Sequence, residues 1–428
     1  MTAGRWPLHL LALLPLSGMP ALAAAATWRV PADYSTIATA LSVAASGDTV
    51  LVAPGTYVED LELVSGVTLR GNGDPQQVIL QGTGASSVLH GTQVGEGTQV
   101  VSLTVRGGIG RASGGSRLGG GIYVETSILT LQDVWLRDNQ ADLGGGLCAE
   151  NSAIHWTGGA LTGNAAVLGG GAFLSKGSHT LSAVAASGNH ATSGGVLYAQ
   201  SAILVTLDDC LWTDNAATDA GGAGFVALTA CLASYCRFEA NTAGGNGGAF
   251  TLRAGSTAEF SHCVFYENAA GGAGGSWHAR CDGLPGSACV EVRLSHCDVF
   301  RNHSPLAAGG AVDGAAWAEI RESAVAGNDT PAACLDARGE LRLECTATAG
   351  NGTSGGSGCA IEELDVVIAD PGLCDLDAGQ LERCANSPLL VTPPCGSGPY
   401  GALAAGCGAC GPTASEATTW GRLKVRYR

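Results

Sequence analysis

The sequence predicts an all-β parallel solenoid, because three regularities run through it in step. Asn recurs at positions 139, 164, 189, 215, 241, 268, 302, 328 and 351, in steps of 25, 25, 26, 26, 27, 34, 26 and 23. A near-constant step of this size marks a stacked repeat. A Gly pair follows many of these Asn residues by about six positions, as Gly247-Gly248 follows Asn241. Apolar residues alternate ahead of each Asn with a period of two and no helical period, so each repeat is made of short strands.

The repeats align on their Asn. Ten positions before it stand Leu129, Ile154, His179, Val205, Cys231, Ala258, Val292, Ala318 and Leu341; eight before it stand Leu131, Trp156, Leu181, Leu207, Ala233, Phe260, Leu294, Ile320 and Leu343. Three before it stand Leu136, Leu161, Ala186, Trp212, Phe238, Phe265, Val299 and Val325. These mostly apolar columns face inward. Coils in register lie roughly 4.8 Å apart, so the Asn side chains stack, and each can pass hydrogen bonds to the coils above and below.

Residues 1–25 read as a secretory signal peptide. Arg5 is the only charge before an apolar run from Leu8 to Leu16, and Ala21 to Ala26 supply small residues for cleavage. The run is shorter than the ~20 residues a membrane span needs, and no later segment spans. Sixteen cysteines, all at or after Cys148, fit an oxidising compartment. The expected location is therefore secreted, extracellular or on an outer-membrane surface. A net charge of −16 excludes nucleic acid and anionic membrane as partners, since both demand a basic footprint.

Residues 26–118 form an N-terminal cap and early coils. Trp28 to Val30 predicts a strand, and Ser35 or Asp33 caps a short helix with Ile37, Ala40, Leu41 and Ala44 on one face. Gly47-Asp48-Thr49-Val50 opens the next strand, and the strands of 67–106 follow. Residues 119–360 hold the regular repeats, with an inserted loop over 279–290 that accounts for the 34-residue step and is stapled by Cys281 and Cys289. Residues 361–410 form a Cys-rich C-terminal cap, and 411–428 a linker and basic aromatic tail, either a sorting signal or a solvated terminus.

The run from Val30-Pro31 through Ser35-Thr36-Ile37 and Gly47-Asp48-Thr49-Val50 to Pro54-Gly55-Thr56-Tyr57 resembles the N-terminal cap of secreted right-handed parallel β-helix proteins of the pectate-lyase-like superfamily. Phe238-Glu239-Ala240-Asn241, Phe265-Tyr266-Glu267-Asn268 and Gly247-Gly248-Ala249 resemble the repeats of the polymorphic outer-membrane proteins. Those repeats form a right-handed β-helix at the cell surface, often as an adhesin. The family's autotransporter barrel has no room in the residues after Asn351. Ser387-Pro388-Leu389 and Gly401-Ala402-Leu403 with Gly406-Cys407-Gly408 are similar to the closing segment of secreted bacterial β-helix proteins, which implies a cap at the other end. The expected fold is a right-handed parallel β-helix of about a dozen coils, with a capping helix and a Cys-rich cap.

Function must lie on outward residues. Cys210, Cys236, Cys263 and Cys297, five before their Asn, form an inward column of buried thiols or of disulfides between coils. Four ligands in a line do not make a tetrahedral metal site. Cys374 with Cys384, and Cys395 with Cys407 or Cys410, are candidate disulfides, favoured over a redox or zinc role for the lone Cys407-Gly-Ala-Cys410. Beside the Cys column stand Asp209, Tyr235, His262 and His296, with Asp214, Glu267 and Arg301 at one neighbouring position and Glu239, Tyr266 and Phe300 at another. Trp277 and His278 adjoin the insertion. The preferred expectation is a monomeric, non-enzymatic surface protein binding a glycan or protein, without cofactor, through Tyr235, Glu239, Tyr266, Trp277, His278, Phe300 and Arg301. The alternative is a lyase or glycoside hydrolase acting on an acidic glycan, with Asp209, Asp214, His262, Glu267 and His296 as site and Ca²⁺ only in the lyase case. The basic and Gly-His-Gly motifs of the pectate lyases and polygalacturonases have no counterpart. Asn302, Asn328 and Asn351 begin glycosylation sequons that the turn ladder would hide.

Overall fold

A computed structural model describes residues 24–351 apart from 254, 282–288, 336, 337, 339, 345 and 350. It also describes the strands Ala360–Leu364, Leu373–Asp375, Gln380–Cys384 and Ala405–Cys407. The chain is a parallel β-solenoid. The coil of Asn215 shows the plan: strands Leu204–Asp208 and Leu211–Thr213 lead to Asn215, then Ala216–Ala220 and Gly224–Ala227 close the turn. The first two strand positions stack into one long sheet of 23 strands, and the last into a second sheet of eleven. A third, four-stranded sheet stacks Ala216–Ala220 with its equivalents. Register is strict, with Leu207 opposite Ala233, Ala233 opposite Phe260 and Phe260 opposite Leu294.

The inward columns are buried as their alternation predicts, and Trp212, Phe238, Phe250, Phe260 and Phe265 meet in the core. Ring pairs such as Phe238 and Phe250, 4.8 Å apart at 84°, are edge-to-face, the favoured arrangement. His179 shares this interior. Its Nε2 bonds the Lys176 carbonyl oxygen at 2.9 Å, and burial drives its pKa down to about 4.

Each Asn amide ties two coils together. The backbone N–H and Nδ2 of Asn215 both donate to Oδ1 of Asn241, at 3.1 and 2.9 Å, while Nδ2 also donates to the Ala186 carbonyl of the coil before. The pattern runs unbroken from Asn139 to Asn351, and across the 34-residue step the Asn268 to Asn302 bonds keep a length of 3.0 Å. Asn302 and Asn328 are buried in the ladder, so neither sequon presents its amide to solvent. At the following corner Gly221 adopts φ +69°, and a Cβ on Gly222 would collide with the Gly248 carbonyl oxygen of the next coil, so only Gly serves there.

The helix is Ile37–Val43, with Ile37, Ala40 and Leu41 buried over the first strands. Its cap is Thr36 rather than Ser35 or Asp33: the Thr36 side chain accepts from the Thr39 N–H, whereas Asp33 accepts from the Arg29 N–H. Glu59 takes the free N–H groups of Ile37 and Ala38. Asp48 fastens the first strand, accepting from Ala26 N at 2.7 Å, Ala45 N at 2.9 Å and Trp28 Nε1 at 3.1 Å. The bonds from Ala45, Ala26 and Trp28 hold its carboxyl below the ordinary 3.8.

Toward the other end, Ala360–Leu364 adds to the long sheet, and three further strands form a separate small sheet in which Cys384 lies opposite Cys407. Cys281 and Cys289 are disulfide-bonded, with Cα atoms 5.1 Å apart. Trp277–Cys281 continues as a strand into this bridge. Cys395, Cys410, the signal-peptide reading of 1–23 and the linker and tail of 411–428 lie outside the described residues.

Two outcomes follow. Asn241→Ala removes the acceptor of the buried Asn215 N–H, one of the acceptors of the Asn215 Nδ2 and the side-chain donor to the Trp212 carbonyl, and should lower unfolding free energy by about 2 kcal/mol or more, since each buried unpaired group costs ~1–3 kcal/mol; denaturant titration reads this. A carboxyl with a lowered folded pKa stabilises above its unfolded value and loses that contribution as pH falls through the folded one. Protection of the Trp28 to Val30 amides against hydrogen exchange, taken relative to the intrinsic rate at each pH, should therefore fall below about pH 4, and Asp48→Asn should remove that loss of protection.

Candidate functional site

The outward residues beside the Cys column sit at a corner that the backbone dictates. Six positions before each Asn the chain enters the left-handed region: Asp133, Gly158, Ala183, Asp209, Tyr235, His262, His296 and Glu322 all have φ between +48° and +67°. One position before the Asn, Asp138, Gly163, Gly188, Asp214, Ala240, Glu267, Arg301 and Gly327 do the same. Asp and Gly tolerate this conformation and most other residues pay ~1–2 kcal/mol for it. Asp209 and Asp214 are therefore ordinary corner residues. Tyr235 and Glu322 are not.

At the first corner the side chains stack along the axis. Tyr235 and His262 have ring centroids 4.9 Å apart at 23°, and His262 and His296 4.8 Å apart at 1°. His296 Nε2 then meets Glu322 Oε2 at 2.6 Å, and His262 Nδ1 shares a 2.9 Å hydrogen bond with Ser261 Oγ. Partial burial, then the neighbouring His296, lowers the His262 pKa. Both causes favour the neutral imidazole. Because the inner rings face one another, the ladder offers solvent its polar edges and the open, 60 % exposed ring of Tyr235.

The charges nearby are mostly engaged. Glu239 pairs with Arg237 at 2.6 Å and Glu267 with Arg301 at 3.6 Å. Asp209 and Asp214 flank the short strand Leu211–Thr213, their backbones up to roughly 16 Å apart at ~3.3 Å per residue, against the ~5–9.5 Å of paired glycosidase carboxylates. His262 is two coils from Asp209 and His296 three. Among the described residues no group of three or more His, Cys, Asp or Glu side chains is placed to hold a metal ion.

Four residues expected to present themselves for binding are buried. Trp277 aligns with Phe250 on the inward side of the second sheet and is wholly enclosed. His278 points outward from that sheet but is also covered, with Nε2 3.6 Å from Asp313 Oδ2, and this contact, opposed by burial, holds the Asp313 carboxyl below its usual value. Tyr266 and Phe300 alternate outward, yet are 7 % and 2 % exposed. Burial first, then the bond to Glu267, raises the Tyr266 pKa to about 12. Tyr235, Glu239, Glu267, Arg301, His262 and His296 retain exposed surface.

The column of Cys210, Cys236, Cys263 and Cys297 consists of free, buried thiols, not of disulfides between coils. Parallel Cβ vectors strain such a bridge, and here the groups serve as hydrogen-bond donors. Cys236 Sγ donates to Ser234 O at 3.2 Å and Cys297 Sγ to Phe260 O at 3.3 Å. Ser323 and Thr346 continue the column with hydroxyls in the same role. The thiol bond to Cys236 and burial push Cys210 up, burial raises Cys263, and burial alone takes Cys231 to about 12.

The sequence reading passed over a second outer stack. Phe173, Tyr198 and Phe225 lie face to face on the second sheet, at 5.6 and 4.8 Å, in the column that also holds Tyr123 and Cys148. Its signal was available, since each of these residues stands three or four positions after a corner Gly.

No family model and no curated protein sequence matches the chain. Among solved structures it is similar to the catalytic domain of a GH87 alpha-1,3-glucanase, with 11% identity over 82% of this chain and 70% of that one and a TM-score of 0.41. Pectin methylesterase PemA from Erwinia chrysanthemi matches with 14% identity over 63% of this chain and 87% of its own, TM-score 0.34. The Siphovirus 9NA tailspike receptor binding domain matches with 10% identity over 82% and 77%, TM-score 0.27. Likenesses this distant carry no argument about activity.

All four column thiols are buried out of reach of solvent, so an alkylating reagent should leave Cys210, Cys236, Cys263 and Cys297 unmodified at pH 8 in the native protein and label all four after denaturation. Peptide mass spectrometry reads the difference.

Proposed function

We propose that the protein is a secreted or surface-displayed binding scaffold without catalytic activity, which engages a glycan or a protein through the Tyr235–His262–His296–Glu322 ladder. The observation that carries this reading is the change of residue type at one backbone corner. In the coils before Tyr235 the corner six positions before the Asn carries Asp, Gly or Ala, while Tyr235 and Glu322 accept a conformation there that disfavours them. Strained residues of this kind, held by a rigid scaffold, motivate a functional reading. The ladder's imidazole and carboxylate edges and the open Tyr235 ring suit hydroxyl-rich or polar ligands.

The separation of Asp209 from Asp214 across their strand and the ion pairs of Glu239 and Glu267 support binding over glycan cleavage. The resemblance of the repeats to those of the polymorphic outer-membrane proteins supports display at a surface, and the N-terminal apolar run supports export. The binding reading requires no Ca²⁺.

A glycan array and a surface-protein pull-down with the full chain test the proposal. Tyr235→Ala and Glu322→Gln should each weaken a captured ligand at least tenfold while melting stays within a few degrees. Release of shortened or unsaturated products from acidic polysaccharides, with or without Ca²⁺, would overturn it in favour of an enzyme.

A further inference from the structure

The coil of Asn189 is tied at its corner differently from other coils. In four of them the residue that follows a left-handed corner is Ser127, Ser152, Thr229 or Ser256, and its hydroxyl donates to a carbonyl two or three residues earlier, that of Glu125, Glu150, Ala227 or Arg253. In the coil of Asn189 this place is taken by Gly177, where a Cβ would collide with the Ser152 carbonyl oxygen. The imidazole of His179 supplies the missing donor. Its Nε2 lies 2.9 Å from the Lys176 carbonyl oxygen. A carbonyl oxygen only accepts, so Nε2 carries the hydrogen and Nδ1 is left as a bare lone pair. Among the described residues that Nδ1 has no partner.

The surroundings offer nothing to a second ring hydrogen. His179 stands in register between Ile154 and Val205 and is wholly enclosed. The strands beside and across from it turn Trp156, Leu174, Ala199 and Leu207 inward. The one carboxylate on these strands, Asp208, leaves from the outer side and accepts from Ser234 Oγ. His155, outward on the preceding coil, opposes a proton electrostatically, and Lys176 is itself a cation. The unpartnered Nε1 atoms of Trp156 and Trp212 are donors, so neither accepts from a protonated Nδ1.

We propose that His179 is an acid-labile joint of the solenoid: a proton on Nδ1 releases the strand Ser178–Ser182 and the corner Lys176-Gly177 from the coils on either side. A charged, unpaired N–H costs several kcal/mol to keep in an apolar interior, whereas an opened strand hands it to water. Burial above all, aided by His155 and opposed by the Lys176 bond, brings the folded pKa down to about 4, against the ordinary 6.5 once the strand opens. The opened state therefore binds more protons between these values, and the stability present above pH 6.5 is lost as the pH falls toward 4. The joint lies between the early coils and those that carry Tyr235, so acid loosens the array at a fixed place rather than from its ends. The inference is independent of the outer ladder, and its failure leaves that reading untouched.

Hydrogen exchange of the full chain, with protection taken relative to the intrinsic rate at each pH, reads the opening. From pH 7.5 to pH 5, protection at Ser178–Ser182 should fall about thirtyfold, while that at Thr49–Val52 should stay within about threefold. His179→Val, which continues the column of Ile154 and Val205, should abolish the fall. His179→Gln, whose amide can still donate to the Lys176 carbonyl, should do the same. In the unaltered chain, nitrogen NMR of labelled histidine should show the Nε2–H tautomer of His179 at neutral pH. A fall of less than about threefold, an equal fall in both variants, an Nδ1–H tautomer, or a folded His179 that titrates near its ordinary value would each overturn the proposal.

Discussion

The hydrogen bond from one Asn amide to the next fixes everything else in this molecule. A coil of about 26 residues has few contacts of its own, and it holds its shape because its neighbours repeat it. The amide supplies two donors and one doubly used acceptor at a point where the chain turns away from the sheet. Backbone pairing alone would allow neighbouring coils to slip, and a slip of one residue would turn every inward column to solvent. With the amides locked, the aromatic core, the thiol and hydroxyl column and the outer stacks fall into line.

That lock also explains why outward polar residues are poor guides to chemistry here. The turns flanking the Asn demand positive φ, and in the coils up to Asp214 the sequence meets that demand with Gly, Asp and Ala. Asp209 and Asp214 belong to this structural vocabulary. Tyr235 and Glu322 depart from it, and between them His262 and His296 complete a continuous stack. Function is sought where the repeat is broken in residue type while its geometry is kept.

The fold was legible from period and alternation, and the buried columns are those read from the sequence, down to His179. The N-terminal cap was legible as a helix but not to the residue, because Asp33, Ser35 and Thr36 can all accept from a helix N–H and only the path of the chain selects Thr36. The candidate site was half legible. Alternation tells which side of a strand a residue leaves from, and this places Tyr235 and His262 correctly. It does not tell whether that side is covered, so Tyr266 and Phe300 were read as exposed. Trp277 reads as a binding residue beside the insertion unless its place is counted from the corner Gly, which puts it in the inward column of Phe250. Cysteine spacing gave the Cys281–Cys289 bridge, where a loop brings the two together, but not the choice between thiol and disulfide in the column.

The 34-residue coil leaves the amide bonds on either side of it unchanged. Each joint in the array tests only its two neighbours, and is indifferent to how much chain is looped out between them. A solenoid of this design can therefore gain, lose or decorate single turns by recombination without renegotiating the rest. Its length and its outer loops are free to vary from one descendant to another, while its cross-section is not.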